Sequence, residues 1–308
     1  ALAEQALHAG RHVLLEKPFA TTQADALSLE QAATAAARDG TVLVVDHVLR
    51  YNPLLQLLDD LSNIAGFGPV QRVAIENDAS DEDLRPDHWF WDRDVSGGIF
   101  VEHGVHFFAA CDALVGEEPS TVQAIELRRD HAGLVDRALA TLIYPSGTVA
   151  THLHAFTHAR RCERQWWRID LGTAQVVVEG WIPIRLTLEG WTDDLGVEAL
   201  DAALDSPVPS SMEVERDADG ATARAGGVER LVPHRVRLTA NLGGPAAKTS
   251  AYQASVRAAL IDLQDCVRTG RTPTASAAEG LSTITTALAA REAAHTGRTI
   301  PIGKGQPS

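Results

Sequence analysis

Two short runs without a polar residue, Val13-Leu14-Leu15 and Val42-Leu43-Val44-Val45, bracket a stretch of helical periodicity over residues 22–38. Together they constrain the fold more than anything else in the chain. Strands apolar on both sides need cover above and below, which is the situation of a parallel sheet wrapped by helices. A helical run precedes the first strand, with Leu2, Ala3, Ala6 and Leu7 along one stripe and Gly10 as its stop. The order helix, strand, helix, strand therefore belongs to an α/β domain. Two strands do not complete such a sheet. The chain opens without methionine inside that first helix, so strands upstream of Ala1 are expected.

From Arg50 the pattern changes. Asn52-Pro53 opens a helix to about residue 64, and a strand is expected over 70–75. A loop rich in acids and aromatics follows over 78–95, then Gly97-Gly98 leads into a helix ending near Gly116. Strands are expected over 122–127, 138–144, 149–156, 166–171, 175–178 and 184–188 with no helices between them, and Tyr144-Pro145-Ser146-Gly147 makes one connecting turn. This second part reads as α+β with a large, mainly antiparallel open sheet. Residues 192–235 show little sustained periodicity and are read as a partly ordered insertion. Two helices, over 252–269 and 276–296, close the chain and are expected to pack back on the first domain. The domain reading is 1–49 for an incomplete Rossmann-type part and 50–308 for the α+β part.

Charge and cysteines exclude several classes. At a formal −14 and with no basic block, the surface repels phosphate backbones and anionic lipid, so neither nucleic acid nor membrane is an expected partner. Cys111, Cys162 and Cys266 are isolated and odd in number, which fits neither a disulfide framework nor a metal cluster. With no basic, apolar leader at the start, a cytoplasmic location is the expectation.

Lys17 follows the first apolar strand in Glu16-Lys17-Pro18, the end that faces the ligand crevice of open α/β sheets. The chain has only three lysines, Lys17, Lys248 and Lys304, against twenty-four arginines, so Lys17 is not routine surface charge. The segment running from Gly97 through Glu102-His103-Gly104-Val105-His106 to Phe108 is apolar on nearly every side and should be buried. Its polar groups then need partners, because each unsatisfied one costs roughly 1–3 kcal/mol. Glu102 and His106, four apart, should share a helix face with His103 beside it. A carbonyl/alcohol redox reaction needs a group that takes the hydroxyl proton and a cation that steadies the alkoxide, tasks that suit histidine and lysine. The alternative is a self-satisfied Glu–His pair in a core.

These segments resemble the Gfo/Idh/MocA family of NAD(P)-dependent oxidoreductases, the group around glucose-fructose oxidoreductase and inositol dehydrogenase. The resemblance rests on residues 9–18, Arg50-Tyr51-Asn52-Pro53, Trp91-Asp92, Ser96-Gly97-Gly98, the run 102–106, and the closing Ala289-Ala290-Arg291-Glu292 to Thr296-Gly297-Arg298. It implies an amino-terminal Rossmann domain binding NAD or NADP and a carboxyl-terminal α+β domain whose open sheet face makes homo-oligomers. It implies that Lys17 is the active-site lysine, that Glu16 and Pro18 line the nicotinamide side with it, and that His106 is the catalytic histidine. Glu102 stands where the family usually has aspartate. The family's Gly-rich turn after the first strand is not matched: G-x-G-x-x-G occurs nowhere, so the chain reads as an amino-terminally truncated member that binds dinucleotide poorly.

Further candidates are substrate contacts. Trp89 and Trp91 can stack on a sugar ring, whereas Trp166 and Trp167 belong in a core or interface. His47 and Arg50, just past the second strand, face either the crevice or a hinge ion pair. His152 and His154 alternate along a strand and with His158 or His88 suggest zinc, but the spacing does not recur and no metal is assigned. The function read from this sequence is hydride transfer between NAD(P) and a sugar, polyol or related cyclic alcohol. An NAD-dependent glycosidase and a non-catalytic binding or oligomerisation module are the alternatives.

Overall fold

The computed structural model describes residues 2–129, 133–216, 221–244 and 246–303. Its first lobe is α1 (Leu2–His8), β1 (Val13–Leu15), α2 (Gln23–Ala37) and β2 (Leu43–Val45). The two strands pair in parallel, Val13 opposite Leu43 and Leu15 opposite Val45. Thr22 starts α2 by accepting the Asp25 N–H at 3.2 Å, and Ala26, Leu29, Ala32, Ala33 and Ala36 form its buried face. Small residues there let the helix lie close to its neighbours.

A 3₁₀ turn (Val48–Tyr51) leads to α3 (Pro53–Ser62). Asn52 fixes this entry twice: its side chain accepts from the Leu54 N–H at 2.9 Å and donates to the Pro183 carbonyl at 3.1 Å. Then come β3 (Val70–Ser80), α4 (Arg93–Ser96), a π turn over Phe100–Gly104 and α5 (Val105–Val115). Strands β4 (Thr121–Arg128), β5 (Val135–Ile143), β6 (Val149–His158), β7 (Arg164–Leu171), β8 (Ala174–Glu179) and β9 (Arg185–Thr192) follow without α-helices between them. The chain ends with α6 (Asp194–Ala203), β10 (Ser210–Arg216), β11 (Thr222–Ala225), β12 (Val228–Leu231), β13 (His234–Asn241), α7 (Ala247–Thr269), α8 (Ala277–Thr296) and β14 (Ile300–Pro301).

Ten strands form one sheet in the order β10-β13-β9-β8-β7-β3-β6-β5-β4-β14, antiparallel except where β3 runs parallel to β6. Alternate residues such as Val73, Ile75, Ala140, Ile169, Val176 and Leu188 bury one face. The other face leaves Ile125, Leu127, Leu139 and Ile143 exposed side by side on β4 and β5. The run Arg93–Val115 is long and apolar enough to cross a membrane on length and composition alone, but most of it is buried inside the protein.

Three expectations are corrected. β3 continues to Ser80 because Asp78, a polar residue that reads as the start of a loop, is held with Asn77 inside the sheet between β6 and β7. Residues 192–235 carry a helix and four strands, two of which, β10 and β13, extend the main sheet; residues 217–220 lie outside the described residues. Their periodicity is weak because β11 and β12 alternate only between half-buried and exposed residues, and β10 turns just Met212 and Val214 toward the core. Helix α7 begins at Ala247 rather than near 252, since no capping side chain announces its start.

The closing helices fix the cleft between the lobes. Helix α8 packs against α2 and β2 on one side and against α5, the π turn and β4 on the other. Its Gly280 is what allows the approach to the first lobe: a Cβ there would lie 2.6 Å from Phe19 Cδ2 and 3.1 Å from Val45 Cγ2. Helix α7 covers β1 and β2, with Ala259 and Ala275 buried against Val44 and Tyr51.

Candidate active site

Lys17 leaves the carboxyl end of β1 in a turn whose Lys17–Pro18 peptide is cis. Its ammonium crosses to the second lobe and donates to two acceptors on one residue, Glu102 Oε1 at 2.6 Å and the Glu102 carbonyl at 2.7 Å. The π turn explains the second contact. Widening a helix by one residue takes carbonyls out of the regular ladder, and such turns are frequent at functional sites. Glu102 lies in that turn and His106 lies just beyond it in α5, so the simple face-sharing geometry expected from their spacing is replaced by a locally re-aimed one.

His106 is 6% exposed, and its Nδ1 has no hydrogen-bond partner among the described residues. Burial first, then the charge of Lys17 and the neighbouring His47, holds its pKa well below the ordinary histidine range. It is therefore a neutral imidazole, able to take a proton. His47, 1% exposed with both ring nitrogens unpartnered, is pushed down to about 3 by burial, Arg50 and Lys17. His103 is held low by burial, His154, His106 and Lys17, and its Nε2 also lacks a partner. The result is one ammonium among three uncharged imidazoles.

Two further residues at this place carry no signal in the sequence. Asp46, next to His47, is pushed up to about 6 by burial and by Glu16, and its Oδ1 is unpartnered. Trp181, in the turn between β8 and β9, lies 6.4 Å from His103 in a nearly parallel stack and 6.0 Å from His106 edge-on. Its buried indole N–H has no acceptor. A tryptophan in a turn 75 positions downstream of His106 reads as ordinary core, so only the fold brings it forward.

The remaining expected residues are placed as follows. Glu16 is exposed and Pro18 half-buried beside Lys17. Arg50 takes the hinge role, donating to Glu279 at 3.3 Å and to the Thr274 carbonyl at 3.4 Å. Trp91 donates its indole N–H to the Leu84 carbonyl and stands edge-on to Phe156, which in turn contacts His103. Trp89 is 52% exposed in the acidic loop beside His88. His88 caps the Trp89–Trp91 turn, accepting from the Phe90 N–H at 3.2 Å. His152 and His154 are not on a polar face: both are fully buried beneath α5 against Phe108 and Phe107. A surface cleft of about 860 Å³ between α2, α4, α8 and β14 contains none of these groups, so cleft size does not locate the chemistry here.

Two family models of one family match successive parts of the chain: the oxidoreductase family with NAD-binding Rossmann fold over residues 1–47, and the GFO/IDH/MocA C-terminal domain over residues 65–176. The chain belongs to the Gfo/Idh/MocA family. A dTDP-3,4-didehydro-2,6-dideoxy-alpha-D-glucose 3-reductase of Streptomyces violaceoruber is 27% identical over 228 residues, covering 71% of this chain and 64% of the relative. A UDP-N-acetylglucosamine 3-dehydrogenase of Acidithiobacillus ferrooxidans is 32% identical over 154 residues, covering 49% of this chain and 42% of the relative. The chain thus matches less than two thirds of the length of either. Among solved structures, levoglucosan dehydrogenase in complex with NADH and levoglucosan matches with a TM-score of 0.72 at 16% identity, over 98% of this chain and 76% of that one. An aldose-aldose oxidoreductase from Caulobacter crescentus matches with a TM-score of 0.67 at 23% identity, over 97% of this chain and 75% of that one. These likenesses establish the fold.

Proposed function

We propose that this chain carries the nicotinamide and substrate end of an oxidoreductase that moves hydride between NAD or NADP and a sugar, polyol or related cyclic alcohol. One observation carries the reading: an ammonium at the end of a parallel strand is tied to a carboxylate four residues before a buried, neutral imidazole. The relatives named for sugar reduction and dehydrogenation support the substrate class.

In alcohol oxidation His106 accepts the hydroxyl proton as hydride leaves the carbon, and in the reverse direction it returns that proton. The Lys17 ammonium stabilises the negative charge that builds on the same oxygen. Glu102 keeps the ammonium in place from two directions. The neutral His47, with both ring nitrogens unpartnered, and His103 through its Nε2 offer ring nitrogens to neighbouring hydroxyls. Glu16, Lys17 and Pro18 would line the nicotinamide, which when bound would supply the hydride acceptor. The unpartnered buried groups here suit the nicotinamide and substrate end, whereas the sequence holds no glycine-rich turn for the pyrophosphate. Weak dinucleotide affinity is therefore expected of these 308 residues by themselves, and the second reading is a non-catalytic binding or oligomerisation module. The exposed Ile125, Leu127, Leu139 and Ile143 on the open sheet face suit self-association in either case.

The test supplies millimolar NAD or NADP with myo-inositol or glucose and follows reduced cofactor. Accumulating NADH or NADPH supports the dehydrogenase. Turnover of a glycoside with the cofactor recycled points to the glycosidase, and no turnover at any cofactor concentration leaves the module. A parallel NADH fluorescence titration checks the affinity; a dissociation constant in the low micromolar range would show that the turn is dispensable.

A further inference from the structure

A second cavity, of about 250 Å³, lies between the turn Val48–Tyr51, helix α3, helix α5 and strand β7. Lys17, Glu102 and His106 do not line it. Most of its wall is apolar, with Leu55 and Leu58 from α3 facing Ala110 and Leu114 from α5, so the few polar groups stand out. Two of them are donors. Trp167 is 1% exposed, and its indole N–H has no acceptor among the described residues. The Nε–H of Arg50 is likewise buried and unpartnered, because this guanidinium meets Glu279 and the Thr274 carbonyl through Nη2 alone. A buried donor without an acceptor is unfavourable, and two such donors on one cavity call for an occupant with acceptor oxygens.

Asp59 and Asp60 line the same cavity where it opens to solvent. Their carboxylates make no hydrogen bond or ion pair among the described residues. They also sit in the last turn of α3, where the helix dipole disfavours negative charge, so the helix itself gains nothing from them. Partial burial raises the Asp59 carboxyl above its ordinary range, Arg50 pulls it back and Asp60 raises it again. It therefore feels the guanidinium without closing on it. The cavity is donor-lined within and acid-lined at its rim, a polarity that repels a simple anion at the entrance and leaves a simple cation facing Arg50. A molecule carrying both charges meets both ends.

We infer that this cavity binds a small zwitterionic amino acid, its carboxylate accepting from Arg50 Nε–H and the Trp167 indole N–H and its ammonium donating to Asp59 and Asp60. The size agrees, since a cavity of about 150 Å³ already admits benzene. The inference is independent of the oxidoreductase reading.

Calorimetric titration of the 308-residue chain would compare L-alanine, L-serine and L-proline with acetate, ethylamine and glycerol. At least one amino acid is expected to bind with a dissociation constant on the order of 1 mM, as suits so small a ligand. Acetate and ethylamine each meet one end only, and glycerol brings no charge, so all three are expected to bind at least about tenfold more weakly. Trp167→Phe keeps a ring and removes the inner donor, while Asp59→Asn with Asp60→Asn removes the rim charge; each is expected to weaken the amino acid about tenfold. The rim pair is exposed, so it decides the matter should the core variant not fold. Failure of all three amino acids to bind below about 50 mM would leave water as the occupant and overturn the inference. Equal binding of acetate or glycerol, or an affinity unchanged in either folded variant, would overturn it too. No nicotinamide or oxidisable sugar enters the comparison, so the hydride-transfer reading stands or falls separately.

Discussion

Lys17 Nζ lies 2.6 Å from Glu102 Oε1 and 2.7 Å from the carbonyl of the same residue, so a single position in the second lobe holds the cation of the first by charge and by backbone. Both side chains are largely shielded, at 18% and 16% exposure. Water therefore competes weakly for the contact.

Glu102→Gln keeps an acceptor of nearly the same shape and removes the charge. Loss of a charge-assisted hydrogen bond in a shielded site is expected to cost about 1–3 kcal/mol in urea unfolding. Turnover is expected to fall about 10- to 100-fold as the ammonium loses its fixed position. A variant with unchanged stability and turnover would show that the backbone contact alone suffices.

Lys17→Ala and His106→Ala test the two ends of the proton and charge arrangement. Each is expected to lower turnover by about 100- to 10,000-fold at saturating cofactor, the range of acid–base and electrostatic contributions. Circular dichroism should show the fold intact. Near-normal turnover in either variant removes that residue from its role.

Stability should fall as pH drops below the ordinary histidine range. His47 and His154 are both pushed down to about 3 in the folded state. Below an unfolded value of 6.5 the unfolded chain binds protons that the folded chain refuses, and the loss grows until pH reaches the folded value. At pH 4.5 each of the two histidines removes about 2–3 kcal/mol. Asp46, pushed up to about 6, acts oppositely, because the folded form holds its proton between 3.8 and 6. Chemical unfolding from pH 7.5 to 4.5 should show the histidine slope prevailing, and His154→Phe should flatten it. A wild-type curve flat over this range would contradict the neutral, buried assignment.

Gly280→Val probes how the first lobe is seated. The added atoms meet Phe19, two residues after Lys17, and Val45 on β2. Either the ring or the helix must move, and overpacking of this kind costs about 1–3 kcal/mol. Because Phe19 follows the lysine turn directly, activity is expected to drop more than thermal stability; an equal or smaller drop in activity would mean that the turn absorbs the shift.

Much of this site is legible before any coordinates, because its signals are local. An apolar triplet ending in Glu16-Lys17-Pro18 and a helix carrying Glu102, His103 and His106 announce themselves by residue type. What escapes is whatever depends on distant chain. Trp181 and Asp46 join the site only through the packing of separate elements, and Arg50 is withdrawn from it by Glu279, 229 positions away. The π turn escapes for another reason: one extra residue per turn does not disturb an apolar run that has no polar side to count against. His152 and His154 mislead because alternation along a strand marks two faces without saying which is dry.

Helix α8 touches strand β2 of the first lobe and helix α5 of the second within its twenty residues, and Arg50 is latched to its Glu279. One helix thus braces both lobes at once. A change anywhere along that one helix is therefore felt on both sides of the Lys17–Glu102 contact.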